Sequence, residues 1–273
     1  MINPFIRDKY AWWQLFEHVK NNCSFFVWQS TKTSRLVFFF LLINDEVRTT
    51  ATCARCLLIE GGTMELSDAY IQSFIQPRNE LLLEMEAYAE ENHVPIMQLA
   101  GIDALNQLLR IQNPQKILEI GTAIGYSAIR MAEALPNVHI VTIERDIERV
   151  TKAKAYIERS TVSDRIKVIE GDALEVEDKA IDTEFDAVFI DAAKGQYQRF
   201  FEKYAPLVKS GGVLYIDNMY MHGLSDLDLK DVPRRKRTMI RNLKNFTEWI
   251  MQHPDYTSAF LPVGDGLLLC LKR

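Results

Sequence analysis

The chain has 273 residues, 48% hydrophobic and 25% charged, with 32 basic and 37 acidic side chains and a net charge of −5. This is a globular composition with enough apolar material for a core, which excludes disorder throughout, and its acidic balance leaves any polyanionic partner to a local basic patch. Four cysteines (Cys23, Cys53, Cys56, Cys270) are too few and too uneven for a disulfide framework, so a cytoplasmic setting is expected, and the longest apolar run, Leu36 to Ile43, falls far short of the roughly 18 to 20 residues that span a bilayer.

The first 63 residues differ from the rest. They hold three of the four Trp (Trp12, Trp13, Trp28), three of the four Cys, half of the 14 Phe, and no glycine before Gly61. No sustained helical or strand period runs through them, and the apolar run starts too far in for a signal peptide. Cys53-Ala-Arg-Cys56 lacks a second ligand pair and reads as no metal or redox site. Glu60-Gly61-Gly62-Thr63-Met64 can be encoded as GAA GGA GGT ACN ATG, which contains AAGGAGG, a ribosome-binding site just ahead of a start codon. Residues 1–63 are therefore expected to be translated upstream sequence, an atypical extension before a domain of residues 64–273. Without them, 25 basic and 32 acidic side chains remain, a net charge of −7.

From Met64 onward, Ser67 is placed to cap a helix carrying Ile71, Phe74 and Ile75 on one face, interrupted by Pro77 and resumed over Glu80 to Asn92. Leu99, Ile102, Leu105, Leu108 and Leu109 mark a third amphipathic helix. After Pro114, strands are predicted at Lys116–Ile120, His139–Ile143, Ile166–Glu170, Ala187–Ile190 and Val213–Ile216. Helices separate them at Tyr126–Leu135, Ile147–Ser160, Gln196–Val208 and Pro233–His253. Alternation of this kind implies a doubly wound, mostly parallel sheet with right-handed crossovers. Thr257–Leu261 and Leu267–Leu271, joined by Pro-Val-Gly-Asp-Gly, read as an antiparallel hairpin that brings the sheet to seven strands.

In such a sheet a ligand lies over the carboxyl ends of the strands at the topological switch point. The first strand is followed by Gly121-Thr-Ala-Ile-Gly125, which is neither a dinucleotide nor a phosphate loop, so a nucleotide without pyrophosphate is favoured over a nicotinamide cofactor. Glu144 after the second strand suits ribose hydroxyls, and Asp172-Ala173 after the third suits an adenine edge. LEIGTAIGYSAIRMAEAL, the acid of VTIER, GDA and FIDAAKGQY together resemble the class I S-adenosylmethionine-dependent methyltransferases, a Rossmann-like fold. More narrowly they resemble the metal-dependent O-methyltransferases of the catechol and caffeoyl-coenzyme A type. The resemblance implies that Glu119 and Gly121 line the methionine moiety, that Ser127 helps hold its carboxylate and that Glu144 binds ribose. It also implies that Asp172 and Ala173 border adenine, that Asp191 adjoins the cofactor and that Gln98 closes over it.

The fourth strand ends in Asp191-Ala-Ala-Lys194 and the fifth in Asp217-Asn218. Two carboxylates and a carboxamide converging above adjacent strands suit Mg²⁺ or a similar hard cation, and the resemblance assigns the metal to the same three residues. Methyl transfer from a sulfonium is an in-line displacement and mainly a positioning task, with Lys194 and Asp191 as the expected catalytic pair. Chelation favours an acceptor with two adjacent oxygens, either a catechol-like phenol or 5-hydroxyuridine. Arg234, Arg235, Lys236 and Arg237 form a basic run where positive charge opposes the helix dipole, which favours RNA phosphates. The resemblance extends to the bacterial tRNA 5-hydroxyuridine methyltransferases, which make 5-methoxyuridine at the wobble position. It implies a homodimer with tRNA, through its anticodon region, crossing both subunits. A small-phenol methyltransferase is the alternative, and a non-catalytic RNA-binding module a remote one; no membrane partner is expected.

Overall fold

The computed structural model describes residues 23–29, 36–42, 68–177, 181 and 184–273. Ser67, Cys53, Cys56 and the Gly61–Met64 boundary lie outside them. The chain divides into two compact units, Met1–Ser67 and Asp68–Arg273. In the first, where no strand period is evident in the sequence, β1 (Cys23–Gln29) pairs antiparallel with β2 (Leu36–Leu42). Both segments are dense in aromatic and β-branched residues, which favour strands even without alternation.

The second unit begins with α1 (Asp68–Gln72), α2 (Glu80–Glu91) and α3 (Leu99–Gln112). α1 is shorter than expected, and Phe74 is 66% exposed and not on a buried face. Ser73 Oγ donates to the Tyr70 carbonyl at 2.7 Å, a local bond that competes with helix continuation. Asn79 starts α2 by accepting the Leu82 N–H. Asn113, in the left-handed region, ends α3.

The remaining elements alternate: β3 (Lys116–Ile120), α4 (Tyr126–Ala134), β4 (His139–Glu144), α5 (Ile147–Arg159), β5 (Ile166–Glu170), β6 (Phe185–Ile190), α6 (Tyr197–Tyr204), β7 (Val208–Ile216), α7 (Arg237–Met251), β8 (Tyr256–Leu261) and β9 (Leu267–Lys272). Sheet order is β5-β4-β3-β6-β7-β9-β8, parallel through β7 and antiparallel for β9 and β8. The seven-stranded, Rossmann-like sheet with its closing hairpin is the architecture the sequence implied. β7 starts five residues earlier than expected because Ser-Gly-Gly is absorbed as an irregularity against β6. A Cβ on Gly212 would lie 2.6 Å from Val208 Cγ1 and 2.8 Å from the Asp186 carbonyl, so that strand passes only with glycine there.

Alternating strand residues face two apolar layers. Leu118, Ile120, Val188 and Ile190 pack with α6 and α7, where Phe201 meets Phe246, Trp249 and Tyr256; Ile117, Ala187 and Phe189 pack with α2, α3, α4 and α5. The strand ends are thereby fixed from both faces, and the chain reverses direction across the sheet between β3 and β6. Among the described residues no helix is long and apolar enough to cross a membrane.

Candidate active site

Gly121 sits where β3 and β6 part. Asp191 N–H donates to the Ile120 carbonyl at 2.9 Å, which draws the two strand ends together. Gly121 has φ 101°, and a Cβ there would lie 2.2 Å from the Asp191 carbonyl oxygen, so both conformation and space require glycine. Above it opens a cavity of about 260 Å³, lined by Gly121, Ser127, Glu144, Asp172, Ala173, Asp191 and Lys194 among others.

The acids in and under this cavity are held differently. Glu144 Oε2 accepts the Ala123 N–H at 2.9 Å, and its Oε1 accepts the N–H groups of Arg145 and Asp146 at 3.0 Å. Its carboxylate is thus locked at the rim of the glycine loop. Asp172 accepts the Leu174 N–H and pairs with Arg145 at 3.3 Å. Glu119, expected to line the cavity, lies beneath it with no exposure, accepting the hydroxyls of Ser127 and Thr142. Burial pushes its carboxyl up to about 7, against the opposing pull of those two hydroxyls. Gln98 likewise stays out of the cavity wall and stands at the start of α3 without a capping side-chain bond, while its neighbour Met97, with Pro95 and Ile96, forms that wall. Tyr126, Arg145, Arg149 and Phe200 also line the cavity, and nothing in their sequence pattern singles them out. An apolar loop residue resembles core in sequence, and an exposed arginine resembles surface; only the loop's proximity to the strand ends marks them.

A second cluster adjoins the first through Asp191. Lys194 Nζ lies 3.4 Å from Asp191 Oδ1, and Asn218 Nδ2 donates at 2.9 Å both to Asp191 Oδ1 and to Asp217 Oδ2. Turning the Asn218 carboxamide end for end would point its oxygen at the same spot, giving three oxygen donors around one point. Burial raises the Asp191 and Asp217 carboxyls above the usual carboxylate range; Lys194 opposes this for Asp191, while the Asp191 charge adds to it for Asp217. A hard cation would relieve the same repulsion that a proton does, so the donor set fits one. Among the described residues no group of three or more His, Cys, Asp or Glu side chains is arranged to hold a metal; this candidate has two carboxylates and an amide. Tyr197 donates its hydroxyl to the Asp217 carbonyl at 2.8 Å and supports the end of β7 from below.

The basic run is split. Arg234, Arg235 and Lys236 form a short 3-10 turn ahead of α7, the two arginines exposed and the lysine half-buried. Arg237 instead turns back on its own loop, donating to the carbonyls of Val232 and Lys230.

The family model described as O-methyltransferase matches residues 72–273. A caffeoyl-CoA O-methyltransferase 1 of Eucalyptus globulus is 33% identical over 177 residues, 62% of this chain and 71% of that one. Among solved structures, a Staphylococcus aureus protein provisionally assigned as a caffeoyl-CoA O-methyltransferase is 37% identical with a TM-score of 0.71, covering 75% of this chain and 98% of that chain. An O-methyltransferase from Bacillus cereus, solved in complex with SAH, is 27% identical with a TM-score of 0.66, covering 76% and 96%.

Proposed function

The chain belongs to the O-methyltransferase family, and on that premise we propose that it transfers the methyl group of S-adenosylmethionine to an acceptor hydroxyl held beside Asp191, Asp217 and Asn218. The observation that carries this reading is a shared residue: Asp191 closes the cavity lined by Gly121, Glu144 and Asp172 and is also a member of the second cluster. The SAH-bound Bacillus cereus relative supports the choice of cofactor. S-adenosylmethionine supplies a methyl carbon on a sulfonium, open to in-line attack by oxygen. A divalent ion such as Mg²⁺, held by Asp191, Asp217 and Asn218, would fix two adjacent acceptor oxygens and ease ionisation of one.

The chain's own groups do the rest. Gly121 and Ser127 bound the methionine end, Glu144 accepts ribose hydroxyls and Asp172 with Ala173 borders adenine. Glu119 acts from below by fixing the Ser127 hydroxyl. Lys194, beside Asp191, faces the developing oxyanion as an ammonium or, where it enters as the free amine, takes the acceptor proton. Catalysis is then chiefly the alignment of oxygen, carbon and sulfur.

For the acceptor, the caffeoyl-CoA relatives favour a catechol-like phenol. A second reading, 5-hydroxyuridine in tRNA, is favoured by exposed Arg234 and Arg235, which a small phenol would leave unused; it carries with it a homodimer spanned by the tRNA. Calorimetric titration with S-adenosylmethionine and with NAD, followed by transfer assays on catechol and on tRNA lacking the modification, each with and without EDTA, tests the whole reading. Binding of S-adenosylmethionine alone and EDTA-sensitive transfer to one acceptor are expected. NAD binding, or full turnover in chelator, would overturn it.

A further inference from the structure

The turn after β7 has an unusual backbone. Asn218, Met221 and His222 have φ of 61°, 52° and 53°, a region costly for side chains other than glycine, and Gly223 follows at 83°. Such a turn persists only if its surroundings hold it. Much of that hold comes from the β8–β9 turn: Met219 N–H donates to the Gly266 carbonyl at 3.0 Å, Tyr220 N–H to the Asp265 carbonyl at 2.7 Å, and His222 N–H to Asp265 Oδ1 at 2.5 Å. Gly264 and Gly266 let this turn wedge in, since a Cβ on Gly264 would sit 3.0 Å from Gly101 Cα and one on Gly266 2.9 Å from Tyr220 N.

Asp265 is 4% exposed, and its Oδ2 is buried without a hydrogen-bond partner among the described residues. The cation beside it is the exposed His222 ring when protonated, with Nδ1 3.5 Å from Oδ1.

We propose that Asp265 is a positioning residue of the acceptor centre: it pins the left-handed turn that presents Asn218 beside Asp191 and Asp217, and so holds the cluster in the arrangement that takes a divalent cation. The proposal rests on the reading of the cluster as a cation site. It is tested with the full chain by titrating Mn²⁺ and following free Mn²⁺ by electron paramagnetic resonance, with S-adenosylmethionine affinity measured in parallel. Asp265→Ala is expected to weaken Mn²⁺ binding about 10- to 100-fold, the usual loss for a residue supporting metal ligands from outside, and to leave S-adenosylmethionine affinity within about twofold. Asp265→Asn, which keeps an acceptor for the His222 N–H, should fall between, and it decides the matter if the Ala variant does not fold. Unchanged Mn²⁺ affinity in the variants, or parallel loss of both ligands, would overturn the proposal alone. Failure of the wild-type chain to bind Mn²⁺ would instead remove the cation site, and this role with it.

Discussion

Glu119 places a carboxyl group in a fully buried site where only two hydroxyls compensate it. Because its folded value is raised to about 7, the folded state holds a proton that the unfolded chain has already released above its ordinary value of about 4.3. Stability from this group is fully present below that ordinary value and is lost as pH rises towards 7. The shift corresponds to roughly 3 to 4 kcal/mol. Glu119→Gln should abolish this component, so melting curves in chelator from pH 4 to 8 should show wild type losing stability more steeply than the variant; parallel curves would contradict the assignment. Gly121→Ala should cost more than the roughly 1 to 3 kcal/mol of an unfavourable backbone conformation, because the added methyl meets the Asp191 carbonyl at 2.2 Å. Its S-adenosylmethionine affinity, read by calorimetry, should collapse. Glu144→Ala should weaken the same binding by roughly 1.5 to 3 kcal/mol. Gly121, Glu144, Asp172, Asp191 and Asp217 are legible in sequence because residue type and strand-end position coincide in each. The burial of Glu119 is not, since in LEIG a strand acid facing a pocket and one facing the core look alike. Asp265 reads in sequence as an ordinary turn residue, because its partners are brought to it by strands far apart in the chain.

At the level of elements, periodicity locates the helices and strands, and local bonds set their ends. Ser73 cuts α1 short, and the glycines at 211 and 212 lengthen β7, neither of which a hydrophobic pattern records. The basic run shows the same limit. Four consecutive cations read as one patch, yet Arg237 holds its own loop while Arg234 and Arg235 face outward. Two different outcomes follow. Replacing Arg234, Arg235 and Lys236 together by Ala should flatten the salt dependence of RNA binding, by about 0.7 to 0.9 in log–log slope for each phosphate no longer neutralised, and leave S-adenosylmethionine affinity intact. Arg237→Ala should lower unfolding stability by about 0.5 to 1.5 kcal/mol, the net worth of ordinary hydrogen bonds whose acceptors water can reach, as chemical denaturation would show. An RNA salt dependence unchanged by the triple substitution would move the small phenol ahead as sole acceptor.

For the whole molecule, the family match and the seven-stranded sheet both lie after residue 67. A protein starting at Met64 is expected to keep full activity and a melting temperature within about 2 to 4 °C of the full chain, the shift worth 1 kcal/mol at this size. A larger loss would make the first 63 residues a structural part of the enzyme. The order of the strands has a further result. β9 follows the other described strands in the chain, yet it lies inside the sheet, where its Leu268 to Leu271 complete the free edge of β7, and the turn before it supplies the backbone partners of Met219 and Tyr220. Synthesis proceeds from the N-terminus, so a ribosome has already produced every residue of the cofactor cavity, the last of them Phe200, before it makes the Asp217-Asn218 turn or β9. A chain cut between Asn218 and β9 has the cofactor half complete, with β7 uncapped and the Asp217-Asn218 turn unsupported. β9 and the turn before it are therefore the last checkpoint on the acceptor side, and their codons matter to the chemistry as much as those of the glycine loop do.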